Sequence, residues 1–225
     1  MTVLNTPGST MEQRSKPSLG PLLKRINHLR CKAWDIRHSV DTCGEIPLTS
    51  LAFQNPNKST GLEYQSHHPK ITRDALHAPD VPYEQYNFID YGCGKGRVLL
   101  VASEFPFRKI VGLEFAPSLA ETAQRNLETY RGRNVKCRNI EVLVIDATTY
   151  DLPPEPAVLY FFSPFAGSVM DKVIRNIERS VEKYPRRLLV VFSGIFVMRD
   201  KAFGSRPTYR RLLRQPYFDL YQRVL

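Results

Sequence analysis

The chain has 225 residues, 42% of them hydrophobic, which suits one α/β domain with an extension and suffices for a sizeable core. No apolar run approaches the roughly 20 residues of a membrane span, so no span is expected, and the polar N-terminus reads without a signal-peptide core. The net charge of +10 lies at the ends: residues 1–40 and 199–225 each hold seven Lys/Arg against two acids, while residues 41–198 balance.

Residues 1–18 are rich in Pro, Gly, Ser and Thr and read as a disordered tail. From Pro21 the apolar residues Leu22, Leu23, Ile26, Leu29, Ala33, Trp34 and Ile36 recur at spacings of three and four. This predicts an amphipathic helix, docked on its own domain by that stripe, with Lys24, Arg25, Arg30, Lys32 and Arg37 on the other flanks. Residues 41–69 lack a period and stand directly before the first sheet strand, where a segment can fold over a site as a lid or gate. A short helix over 71–77 leads to that strand, so residues 19–84 form a helix-and-lid extension to a domain over 85–225.

The central motif is Phe88-Ile89-Asp90-Tyr91-Gly92-Cys93-Gly94-Lys95-Gly96-Arg97, a buried strand, a glycine turn and the start of a helix. Gly92, Gly94 and Gly96 allow a sharp turn and leave no Cβ beneath a ligand at the strand end. A dinucleotide fingerprint needs glycine at the sixth position, which is Arg97 here. Asp90, two residues before the first glycine, suits a ligand with a positive charge and would repel a diphosphate, which favours S-adenosylmethionine over NAD.

Lys109 to Phe115 reads as a second strand ending in an acid. Glu114 lies twenty residues after Gly94, and an acid there can accept both ribose hydroxyl protons. Pro117 opens a helix through Tyr130. Ile140 to Ala147 is a third strand ending in Asp146-Ala147, and Ala157 to Phe162 a fourth, followed by Ser163-Pro164-Phe165. Three successive strand ends with polar tips are what a ligand site along a parallel sheet edge requires.

On these motifs, residues 86–165 resemble the core of a class I S-adenosylmethionine-dependent methyltransferase. The resemblance implies that Asp90, the glycines, Glu114, Asp146 and Ala147 bind the cofactor, Asp146 and its neighbouring backbone at the adenine. It places the methyl acceptor at Ser163, Pro164 and Phe165, where many nitrogen-methylating relatives carry Asp, Asn or Ser followed by two prolines and an aromatic. This chain has one proline. In some protein-lysine methyltransferases a tyrosine before the first strand sits by the cofactor, a role that Tyr64 matches.

Val169 to Tyr184 is helical in pattern, Arg187 to Ser193 a fifth strand, and Phe218 to Leu225 a last strand after a basic connection. The expected fold is a Rossmann-like, doubly wound, mostly parallel sheet with helices on both faces. By resemblance the last strand runs antiparallel. His67 and His68 have no Cys, Asp or Glu at a ligand spacing, so no metal is assigned. Cys31, Cys43, Cys93 and Cys137 read as free thiols of a cytoplasmic protein.

The leading function is therefore methyl transfer to an amine, of a protein lysine or a small molecule. RNA or DNA methylation is the second reading, consistent with basic ends that suit an acidic partner, although no separate target-recognition domain is present. A non-catalytic nucleotide-binding module contacting an acidic partner is the third.

Overall fold

The computed structural model describes residues 20–52, 55, 58, 61, 63–165, 167–194 and 196–224. The tail expected over 1–18 lies outside the described residues. In chain order the elements are α1 (Gly20–His38), a short antiparallel pair β1 (Glu45–Ile46) and β2 (Tyr64–Gln65), and α2 (Pro69–His77). The sheet domain follows with β3 (Asn87–Tyr91), α3 (Arg97–Ala102), β4 (Lys109–Glu114), α4 (Pro117–Thr129), β5 (Ile140–Val144) and β6 (Ala157–Phe162). It ends with α5 (Gly167–Lys183), β7 (Leu188–Ser193), α6 (Phe196–Arg199), β8 (Tyr209–Arg214) and β9 (Phe218–Arg223).

The seven-stranded sheet has the order β5-β4-β3-β6-β7-β9-β8. The first five of these strands are parallel; β9 runs antiparallel to both β7 and β8. Strand order reverses between β3 and β6, and open α/β sheets bind ligands in the crevice at such a reversal. The basic connection before the last strand is itself strand β8. Its alternating burial, with Arg210, Leu212 and Arg214 exposed, reads in sequence as a polar loop.

Side chains alternate across the sheet with the period of two that strands impose. Ile89, Val111, Leu159 and Val190 face one side, where α5 covers them with Val173, Ile174, Ile177 and Val181. Phe88, Ile110, Val158 and Leu189 face the other, under Ala75 and Leu76 of α2 and Val98, Leu99 and Ala102 of α3. Strands buried on both faces carry the near-continuous apolar runs seen at 88–91 and 157–162.

Helix α1 forms where expected but docks by a different face. Ile26, Leu29 and Ile36 of the apolar stripe are 39%, 61% and 80% exposed, whereas Cys31 and Asp35 are buried and Trp34 and His38 half-buried. The cause is Arg97, whose guanidinium lies inside the molecule and takes Asp35 as its counter-ion at 2.8 Å. An unpaired buried charge costs about 3–5 kcal/mol, more than the roughly 1.5–3 kcal/mol of burying one further aliphatic side chain. The ion pair therefore sets the helix rotation.

Candidate functional site

A cavity of about 670 Å³ lies beyond the C-terminal ends of the parallel strands, with residues 63–67 along one wall. Its size suits a ligand of cofactor dimensions. Strand β3 supplies Asp90, the following turn Gly92, Cys93 and Gly94, β4 Glu114, and the end of β5 Asp146 and Ala147. Tyr64, Ser163, Pro164 and Phe165 line the same space. The structure thus brings together every sequence-predicted site residue except Gly96.

Gly96 stands behind the turn. A Cβ there would lie 3.0 Å from the Cβ of Ala123, so this glycine lets α4 pack closely rather than facing a ligand. Gly94 has a φ of +53°, in the left-handed region that favours glycine, and the Tyr64 ring lies where its Cβ would be. The Tyr64 hydroxyl donates to the Thr42 carbonyl at 2.5 Å, which fixes the ring over the turn.

Glu114 is held by the turn it faces. Its carboxylate accepts from the backbone N–H of Gly94 at 2.8 Å and of Ala116 at 2.9 Å. Burial pushes it up to about 7 even though these backbone donors pull the other way. Asp90 is 1% exposed, and neither carboxylate oxygen has a hydrogen-bond partner among the described residues. Burial, reinforced by the charge of Glu114, holds its carboxyl well above the usual range. Such a group is costly to leave unmatched, and a ligand cation placed over the turn would satisfy it.

Asp146 caps the short turn Ala147–Thr149, accepting from Thr148 N at 2.8 Å and Thr148 Oγ1 at 2.7 Å, and takes Asn55 Nδ2 at 3.1 Å. Its orientation is fixed from two sides at the end of β5. At the end of β6, Ser163 adopts a φ of +42°, and its hydroxyl donates to the Ser193 carbonyl at 3.4 Å. Pro164 packs over Gly92, where a Cβ would come within 2.7 Å of its own. Phe165 is only 8% exposed, meets Phe161 edge-on and bridges to Gly61. The aromatic that resemblance places against an acceptor is thus largely absorbed by the core and the covering segment.

Three residues that line the cavity were not singled out as site residues. His67 sits in the cavity wall, its ring 4.2 Å from that of Phe162 and its Nε2 2.6 Å from Thr72 Oγ1. Burial, with Arg97 and His68 adding to it, lowers its imidazole to about 3, so it is neutral at physiological pH. Nothing in the His67-His68-Pro69 stretch signals this. Arg97 donates to Asp35, to Thr42 Oγ1 at 2.7 Å, to the His67 carbonyl at 2.9 Å and to Cys31 Sγ at 2.5 Å. Its place in the glycine motif was the available signal. Tyr217, 63% exposed, lines the cavity from the β8–β9 turn.

No protein-family model and no curated protein matches the chain in sequence. Among solved structures it is similar to the putative methyltransferase yhhF from Escherichia coli, at 16% identity and a TM-score of 0.51, over 68% of this chain and 83% of that one. The chain has the fold of class I S-adenosylmethionine-dependent methyltransferases. Two further similar structures are the 23S rRNA methyltransferase ErmE and an RNA methyltransferase from Salinibacter ruber in complex with S-adenosyl-L-homocysteine. The first is 17% identical, with a TM-score of 0.48 over 71% of this chain and 69% of that one. The second is 20% identical, with a TM-score of 0.47 over 71% and 92%. Around the cavity, the buried Arg97 ties α1 and the covering segment to the glycine turn.

Proposed function

We propose that this chain is an S-adenosylmethionine-dependent methyltransferase whose acceptor is an amine nitrogen. The observation that carries the reading is Asp90, a fully buried carboxylate with no partner among the described residues, at the base of a glycine turn beside Glu114. A ligand with an ammonium group and a ribose matches that pair: the cation answers Asp90, and the hydroxyls donate to the carboxylate lone pairs that the backbone leaves on Glu114. Asp146 and Ala147, which line the cavity with Tyr64, are the residues assigned to the adenine edge.

The bound cofactor supplies an already activated sulfonium methyl, transferred by in-line displacement. The chain's own task is then alignment and exclusion of water. Tyr64 and the 63–67 segment wall the cavity on one side, and Phe162, Pro164 and Phe165 wall it on the other. An attacking amine must be neutral, and the apolar wall with an uncharged His67 favours the neutral form by desolvation. Ser163, with the carbonyl groups at the ends of β6 and β7, is the candidate for orienting it. The four buried free thiols fit a reducing, cytoplasmic setting.

Calorimetric titration with S-adenosylmethionine, S-adenosylhomocysteine and NAD tests this directly. Micromolar binding of the first two without NAD is expected. Binding of NAD alone would overturn the assignment, and cofactor binding without transfer to any acceptor in cell extract would favour a binding module.

A further inference from the structure

The cofactor cavity shares Ser66, His67, Ile71 and Tyr217 with a second hollow of about 1450 Å³, bounded by α1, α2 and the β8–β9 turn. We propose that this groove holds a single-stranded nucleic acid, its methyl-accepting base entering the cavity between His67 and Tyr217. The proposal rests on the methyltransferase reading and names the amine as an exocyclic base amine.

Charge is the first support. Arg25 and Arg30 project from α1 into the groove, are exposed, and form no ion pair among the described residues. Lys70 adds a third cation from α2, and its partner Asp74 is a solvent-exposed pair at 2.6 Å that screens weakly. Glu45 is the one other acid in the lining. His68, between these elements, has its imidazole pushed down by burial and then by Arg30, Arg97, Arg73 and Lys70 together. The lining thus sets three cations, Arg25, Arg30 and Lys70, against two acids, Glu45 and Asp74, an excess of positive charge that suits a phosphate backbone.

The second support is the aromatic at the junction. Tyr217 is held by its backbone: its carbonyl accepts from Ser193 Oγ at 3.0 Å and from Gly194 N at 3.1 Å. The turn beneath it is pinned by Arg199, buried with Asp219 at 3.3 Å and donating to the carbonyls of Gln215 and Pro216. The residue nonetheless remains 63% exposed. An exposed aromatic on a fixed backbone at the mouth of a cavity is a stacking platform for a base. An acidic peptide would use the cations but has no use for that ring.

The test is fluorescence anisotropy with labelled 12-nucleotide mixed-sequence RNA and DNA strands, on the whole chain, with calorimetric S-adenosylmethionine binding measured on every variant. Arg25→Glu combined with Arg30→Glu should weaken strand binding at least tenfold at about 50 mM salt. It should also flatten the log–log salt slope by about 1.4, the loss of two phosphate contacts. Tyr217→Ala should cost roughly fivefold or more, the low end for one stacked base. Cofactor affinity should stay unchanged in the Arg25/Arg30 variant, since neither side chain lines the cofactor cavity. Strand binding that ignores both changes overturns the proposal, as does displacement by polyglutamate as effective as by unlabelled strand. A chain that binds strands through these residues yet takes no cofactor keeps the groove and overturns the transfer reading.

Discussion

Asp35 and Arg97 form a 2.8 Å ion pair in which both side chains are almost fully buried, at 5% and 3% exposure. Each uses its remaining capacity nearby. Asp35 accepts from the backbone N–H groups of Thr42 and Cys43, and Arg97 donates to Thr42 Oγ1 and the His67 carbonyl. One arginine in the glycine motif therefore ties together α1, the strand-entry segment and the cavity wall.

Removing one partner leaves the other buried and uncompensated. Asp35→Ala is expected to cost about 3–5 kcal/mol in urea unfolding. The single tryptophan, Trp34, lies 5.2 Å beneath the Arg97 guanidinium. Its emission should move to longer wavelength when α1 loosens. A loss under about 1 kcal/mol with unchanged emission would mean that α1 docks by other contacts.

The sheet was legible because its strands are buried on both faces, so 88–91, 109–114 and 157–162 are near-continuous apolar runs between turn signals. The cavity lining at the strand ends was legible because a glycine turn and two strand-end acids stand at fixed offsets. The rotation of α1 was not. Its apolar stripe at 26, 29, 33 and 36 obeys helical spacing, yet the buried face is set by Asp35 answering an arginine 62 positions away. His67 and Tyr217 were equally silent, since neither lies in a motif and each reaches the cavity through a fold-dependent turn. Strand β8 was hidden by its exposed arginines.

Asp90→Ala should separate binding from stability. The folded protein without ligand loses a buried carboxyl with no partner among the described residues, so its unfolding free energy should hold or rise, by an amount on the order of 1 kcal/mol. Cofactor affinity should fall at least tenfold, because a charge-assisted contact of about 1.5–3 kcal/mol disappears. Both quantities falling together would point to a purely structural role for Asp90.

Through Glu114, cofactor binding is expected to depend on pH. Its folded value of about 7 lies above the ordinary 4.5, so the folded protein keeps a proton that the unfolded chain releases in between. Its stabilising contribution is full below pH 4.5 and is lost as the pH rises through 7. Ribose hydroxyls donating to the carboxylate favour the ionised form. Affinity for S-adenosylmethionine should therefore rise with pH up to about 7 and then level off, with a proton released on binding below that. Titration enthalpies in phosphate and Tris at pH 6.5 should differ accordingly, and Glu114→Gln should shrink the difference. Equal enthalpies in the two buffers for the unmodified chain would place Glu114 outside the cofactor contact.

Gly94 and Tyr64 should behave as one unit. A Cβ at Gly94 occupies the place of the Tyr64 ring and also strains a backbone at φ +53°. Gly94→Ala must therefore displace the ring, the turn, or both, and should lower cofactor affinity by tenfold or more. Tyr64→Ala alone removes the wall over the turn and should weaken binding less, since the carboxylates and the glycine backbone remain. In the double variant the overlap is gone and only the backbone strain persists, at roughly 1–2 kcal/mol. Its affinity should then exceed the product of the two single effects by severalfold, a coupling that neighbouring residues show and distant ones do not. Strictly additive losses in that cycle would mean that Tyr64 does not rest on the turn in solution.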